Sequence, residues 1–295
     1  MATSPKQAST RPARRTAARA GALKILNDVL CGVDGTRTSY EAVRQAASLT
    51  GVKGHLTLLA VSSDLDGKGR RNSIDQAAMN KARARQALGY ARGVANRDGV
   101  QVDTAVAERA KVAEALLDRA RSHSLLALGA PSMSRAAHIL IGGITSTAVH
   151  RLPTSLLIAR RPPGGTAFAE RILVANDAGA SSDKLLDFAI ALARERKGEL
   201  LLLHAAGPES RFQPTRLGSQ AERVGKALGN RGQVRVVPGR AERAIIEAAE
   251  RFGASLVVAS SHHLKGARAL ASLSERLVHD APCSVLIVRP EDLRA

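Results

Sequence analysis

Two glycine-led turns carry residue types suited to phosphate chemistry: Gly129-Ala130-Pro131-Ser132 and, nine residues on, Gly142-Gly143-Ile144-Thr145. Glycines let backbone N–H groups close on phosphate oxygens, and a helix beginning just beyond adds the positive end of its dipole. A carboxylate stands at a comparable place earlier in the chain. Asp34 ends the apolar run Leu30-Cys31-Gly32-Val33, and Asp177 ends Leu173-Val174-Ala175-Asn176 in the same way. By residue type alone, each aspartate reads either as a turn or helix-cap residue or as a ligand-edge group.

Other reactive constellations fall short. His262 and His263 are adjacent, so their rings diverge on most backbones, and no cysteine lies at ligand spacing. His204 ends an apolar strand and reads as a satisfied core residue. Gly225-Lys226-Ala227 lacks the preceding glycine and the following hydroxyl of a P-loop. No Gly-x-Ser-x-Gly elbow occurs, and no nucleophile has a base at hand. The expectation is a binding protein without catalysis.

The elements that must position these residues come as a repeat. Val149-His150-Arg151-Leu152-Pro153-Thr154-Ser155-Leu156-Leu157-Ile158-Ala159-Arg160 returns as Val278-His279-Asp280-Ala281-Pro282-Cys283-Ser284-Val285-Leu286-Ile287-Val288-Arg289, an offset of 129 residues. Asp34 and Asp177 stand 143 apart, so the second copy is internally shorter. A unit of this length is a duplicated domain and not a solenoid repeat. The first copy reads as strand 28–34, helix 36–49, strand 55–62, helix 73–96, strand 100–107, helix 112–122, strand 125–129, a loop, a short helix and strand 155–159. The second replays it: strand 171–177, helix 182–197, strand 199–204, helix 215–229, strand 233–237, helix 240–252, strand 255–259, helix 272–280 and strand 284–288. Continuous apolar strands alternating with helices predict an α/β fold, two tandem Rossmann-like domains each with a five-stranded parallel sheet and helices on both faces. Ligands of such sheets bind outside the carboxyl ends of the strands, where Asp34 and the turn after Gly129 both fall. The expected domains are 25–160 and 170–290, with residues 161–169 as linker. They should pack about a pseudo-twofold axis, with strands 155–159 and 284–288 near the interface.

Composition narrows the partners. The net charge is +18, and the first 24 residues carry Lys6, Arg11, Arg14, Arg15, Arg19 and Lys24 with no acid, which predicts a disordered basic tail. No apolar run has membrane-spanning length and no signal-peptide stretch opens the chain. Two cysteines at non-equivalent places, Cys31 and Cys283, read as reduced thiols of a cytoplasmic protein.

An aspartate closing the first strand, a Gly-led loop after the fourth, a helix beginning near a glycine-hydroxyl pair and a Pro-Cys-x-Val-Leu-Ile-Val closing strand together resemble the universal stress protein family, twice along the chain. The resemblance implies a regulatory stress-response protein acting through as yet unidentified protein partners, with the tandem chain a fused pseudo-dimer open to further dimerisation. It also implies ATP as the candidate ligand. Nucleotide-binding members carry Gly-x-x-Gly, nine residues, then Gly and Ser or Thr. Here Gly129 and Gly142 match, Ser132 replaces the second glycine, and Gly143 replaces the hydroxyl residue, which Thr145 or Ser146 supplies one turn on. Asp34 and Asp177 fall near the ribose or base, and Val61 and Ala205 at the edge where members seat adenine. In the second half Ala259-Ser260-Ser261-His262, eight residues and Ala271-Ser272 depart further from the pattern, so weak ATP binding is expected in the first half only. A competing expectation is a polyanion or nucleic-acid binder working through the tail and the helix bearing Lys81, Arg83, Arg85 and Arg92. Against it, no recognisable nucleic-acid motif is present.

Overall fold

The computed structural model describes residues 24–51, 54–63, 74–96, 99–108, 111–131, 148–149, 151, 153–177, 179, 182–207, 213–261 and 270–293. The first half contains β1 (Asp28–Gly32), α1 (Arg37–Thr50), β2 (His55–Ser62), α2 (Ile74–Ala95), β3 (Gln101–Glu108), α3 (Val112–Ala120), β4 (Leu125–Gly129) and β5 (Ser155–Ala159). The second contains β6 (Arg171–Asn176), α4 (Ser182–Arg196), β7 (Glu199–Ala206), α5 (Pro214–Leu228), β8 (Gly232–Pro238), α6 (Ala241–Phe252), β9 (Leu256–Ser260), α7 (Leu270–Asp280) and β10 (Ser284–Val288). The basic tail expected at residues 1–24 lies outside the described residues, apart from Lys24.

All ten strands form one sheet in the order β3-β2-β1-β4-β5-β10-β9-β6-β7-β8, each half being the reverse of the other. Every neighbouring pair is parallel except β5 with β10, so each half is a parallel sheet and the halves join along one antiparallel seam. Leu, Val, Ile and Ala fill both faces, as strands covered on both sides require. On β4, Leu125 and Ala127 enter the core with α1 and α2, while Leu126 and Leu128 enter the opposite one with α3. The period-2 alternation of strand side chains thus feeds two helix layers.

The seam carries the symmetry that the repeat implies. Leu156, Leu157 and Ile158 pair with Ile287, Leu286 and Val285 respectively. An offset of 129 residues carries Leu157 onto Leu286, its own partner, and exchanges the two flanking pairs. The pseudo-twofold axis therefore passes through the Leu157–Leu286 pair, as an isologous contact demands. Polar contacts repeat across it. Arg160 N donates to Ser284 Oγ at 3.0 Å, and Arg289 N donates to Ser155 Oγ at 3.1 Å. The arginine side chains also cross over: Arg289 reaches Pro153 O, and the fully buried Arg160 reaches Cys283 O and Val278 O, the latter in the last turn of α7. The surroundings then diverge. Arg289 has Glu291 beside it, whereas burial pulls the Arg160 guanidinium below arginine's ordinary range.

Candidate functional site

Strand order places the site. β1 is flanked by β2 on one side and β4 on the other, so the connections leaving β1 and β4 diverge and open a crevice at their carboxyl ends. A cleft of about 1210 Å³ lies there, and Asp34, Val61 and Gly129 all line it. Ser132, Gly142, Gly143 and Thr145 lie outside the described residues.

Asp34 is held by a local turn. Its Oδ1 accepts Thr36 N at 2.9 Å and Thr36 Oγ1 at 2.6 Å, while its Oδ2 has no partner among the described residues. Thr36 in turn caps α1, its Oγ1 accepting Ser39 N at 3.2 Å. Gly35 has φ +84°, a left-handed conformation that glycine adopts without strain. So the two sequence readings of Asp34 coexist: one oxygen shapes the turn and the other faces solvent as an acceptor.

Gly129 answers a different need from the one its position suggests. A Cβ there would sit 2.2 Å from Thr38 O and 2.7 Å from Ser39 N. The end of β4 thus runs against the backbone of the first turn of α1, and only hydrogen fits between them. This contact is sufficient to require glycine, whether or not phosphate approaches as well.

Several cleft residues are not singled out as site residues by the sequence, and one of them, Arg83, stands out there only as part of a basic helix. Tyr40 on α1 and Tyr90 on α2 both line the cleft, with ring centroids 4.5 Å apart and planes tilted by 53°. Burial, with the neighbouring Tyr90 and Asp34, pushes the Tyr40 hydroxyl above tyrosine's usual range. From α2, Asn80 and Arg83 line the same space; Asn80 Nδ2 reaches Ser63 O at 3.4 Å, and Arg83 has no acidic partner among the described residues. The available signal was that the chain's two tyrosines are its only aromatic residues with polar tips, in a chain without tryptophan.

The second half builds the equivalent edge differently. The buried residues Gln220, Val224 and Leu228 of α5 have the spacing of Ala87, Ala91 and Ala95 of α2, so Gln220 stands where the first half has the cleft-lining Ala87. Gln220 accepts from Asn176 Nδ2 at 2.7 Å and donates to Ser182 Oγ at 3.0 Å and to Asp183 Oδ1 at 2.8 Å. Arg223 Nη1 donates to the same Asp183 oxygen at 3.1 Å. His204 is buried and its Nδ1 lies 3.0 Å from Asn176 O, a satisfied core histidine. Asp177 repeats the turn of Asp34, with Oδ1 accepting Gly179 N at 2.9 Å. Strand register corrects one alignment. Ser155 pairs with Leu125 and Ser284 with Leu256, so the residue equivalent to Gly129 is Ser260, one position beyond Ala259. Backward counting through loops of unequal length misplaced it.

Among the described residues no group of three or more His, Cys, Asp or Glu side chains is arranged to hold a metal ion. No described helix is long and apolar enough to cross a membrane.

Comparison with known proteins agrees with this architecture. The sequence matches the description "Universal stress protein family" over residues 26–160 and 169–289. A universal stress protein from Archaeoglobus fulgidus DSM 4304 superposes with a TM-score of 0.72 at 18% identity, over 90% of this chain and 98% of that one. A functionally unknown protein from Pseudomonas aeruginosa PAO1 superposes with a TM-score of 0.63 at 16% identity, over 93% and 96%. Comparison with curated proteins yields no match. With two tandem matches that together span most of its length, the chain belongs to the universal stress protein family.

Proposed function

We propose that this tandem universal stress protein is a regulatory binding protein whose first half takes a nucleoside phosphate, ATP in the first instance, and whose second half does not. The observation that carries the reading is Asp34: a carboxylate fixed through one oxygen, with the other open, at the switch point of a parallel sheet and inside a large cleft. Such an acceptor suits a vicinal diol of ribose. In the second half the Asn176–Gln220–Ser182 network takes up the polar capacity beside Asp177. The role we propose for it is binding without turnover.

Titration calorimetry with ATP tests it on the wild type, Asp34→Ala and Asp177→Ala. One site per chain, lost in Asp34→Ala and kept in Asp177→Ala, is the expected outcome. Two sites, or loss in the Asp177 variant alone, would refute the assignment. The competing polyanion reading works through the basic tail and the helix bearing Lys81, Arg83, Arg85 and Arg92, of which Arg85 and Arg92 are exposed on α2. It predicts duplex-DNA affinity that falls steeply with salt and ignores sequence.

A further inference from the structure

The cleft has a second wall that the glycine loop does not explain. On α2, Arg83, Ala87 and Tyr90 are spaced i, i+4, i+7 and so share one face of the helix. At 1.5 Å per residue, Arg83 lies about 6 Å from Ala87 along the axis, and Ala87 about 4.5 Å from Tyr90. Ala87 is the point where the Asp34–Gly35 turn meets the helix: a Cβ on Gly35 would lie 3.4 Å from Ala87 Cβ. In order along the wall stand a cation without an acidic partner among the described residues, a small residue opposite an acceptor carboxylate, and an aromatic ring 62% exposed and tilted against a second ring.

We infer that this stripe binds a nucleoside phosphate lengthwise, with the base on Tyr90, the sugar hydroxyls at Asp34 and a phosphate at Arg83, an inference that rests on the nucleotide reading above. The order of the three groups matches base, sugar and phosphate, and the overall reach of about 10 Å suits a nucleotide but exceeds a bare ring or a bare phosphate. An exposed tyrosine at a cleft mouth offers a flat face for a base. The guanidinium supplies a planar fork of donors for phosphate oxygens. Tyr90 and Arg83 then determine specificity, the first for a planar ring and the second for an anion.

The chain supplies its own probe, because it has no tryptophan and both of its tyrosines line this cleft. Tyrosine emission and calorimetry are recorded during titration with ATP, adenosine and tripolyphosphate, on the wild type, Arg83→Gln and Tyr90→Leu. Both substituted side chains are exposed, so unfolding does not confuse the result. ATP is expected to change the wild-type emission. Arg83→Gln should weaken ATP by about tenfold or more while leaving adenosine unchanged, as for loss of one charged hydrogen bond. Tyr90→Leu should weaken ATP and adenosine alike and leave tripolyphosphate unchanged. If ATP binds both variants as it binds the wild type, with no change in tyrosine emission, the lengthwise pose is wrong and the nucleotide reading survives. If the wild type takes up neither ATP nor adenosine by calorimetry, the nucleotide reading itself fails and the pose falls with it.

Discussion

Substituting Gly129 by alanine should destabilise the first half far more than the same change at Gly32, although both glycines sit at the ends of neighbouring buried strands. At Gly129 the new methyl would lie 2.2 Å from Thr38 O, 2.3 Å from Thr38 C and 2.7 Å from Ser39 N, all backbone atoms. Backbone of a capped helix cannot step aside alone: moving Ser39 N also strains its 3.2 Å bond to Thr36 Oγ1, which starts α1. At Gly32 the nearest atoms are Leu128 Cδ2 at 2.9 Å and Leu116 Cδ2 at 3.2 Å, the far ends of flexible side chains. Overpacking a close-packed interior costs about 1–3 kcal/mol, and a lost N-cap adds about 1 kcal/mol. With the upper part of that range for a clash against backbone and its lower end for one against side-chain tips, Gly129→Ala is placed at about 3–4 kcal/mol and Gly32→Ala at about 1 kcal/mol. With a urea m-value of about 2 kcal/mol/M, the midpoints should fall by about 1.5–2 M and about 0.5 M respectively. Urea unfolding followed by far-ultraviolet circular dichroism reads both shifts. A Gly129→Ala midpoint equal to that of the wild type, or a larger loss at Gly32, would refute the steric account. The same reasoning warns that lost ATP binding in a Gly129 variant reports on the fold as much as on phosphate contact.

Burial pushes the Cys283 thiol up to about 12 and the Cys31 thiol higher still, so both stay protonated at pH 8. A thiol reagent at that pH should label neither in the native protein and both in 6 M guanidinium chloride; native labelling would show that the seam or β1 opens. Because the folded values are raised, the thiols contribute stability fully below their unfolded value and lose it as pH climbs towards 12. Replacing both cysteines by alanine should therefore flatten the fall of the urea midpoint between pH 8 and pH 11, and an unchanged fall would contradict this. Gln220→Ala removes the hydrogen bonds of a fully buried amide to Asn176 Nδ2, Ser182 Oγ and Asp183 Oδ1, which should cost about 2 kcal/mol. A neutral urea midpoint would show that water replaces the amide without loss.

Much of the architecture was legible because strands buried on both faces leave a plain signature. The run Ser284-Val285-Leu286-Ile287-Val288 has no polar residue after its first, and Pro282 and Pro290 mark its ends. The similarity of that run to Ser155–Ala159 also pointed to the seam, because a twofold contact forces the two sides alike. The site was legible only where one local motif carries it, as at Asp34. Tyr90 escaped notice, and Arg83 was noticed only as part of a basic helix, because their place beside the cleft depends on how α2 leans over another element. Gly129 was noticed for only one of its possible neighbours. Its spacing suggested phosphate, whereas the closest atoms belong to α1, which no pattern within β4 announces.

The seam through Leu157 and Leu286 has a consequence for how the two halves can change. In a dimer of identical chains every substitution appears on both sides of the axis, so a residue that harms one cleft harms both. Here β5 and β10 belong to one polypeptide, and a substitution falls on one side alone. The contact is also intramolecular, so its effective concentration is set by the connecting chain and dilution does not separate the partners. Under that tether Gln220 and Ser260 can stand where the other half keeps Ala87 and Gly129, and one side is free to become scaffold while its twin remains receptive.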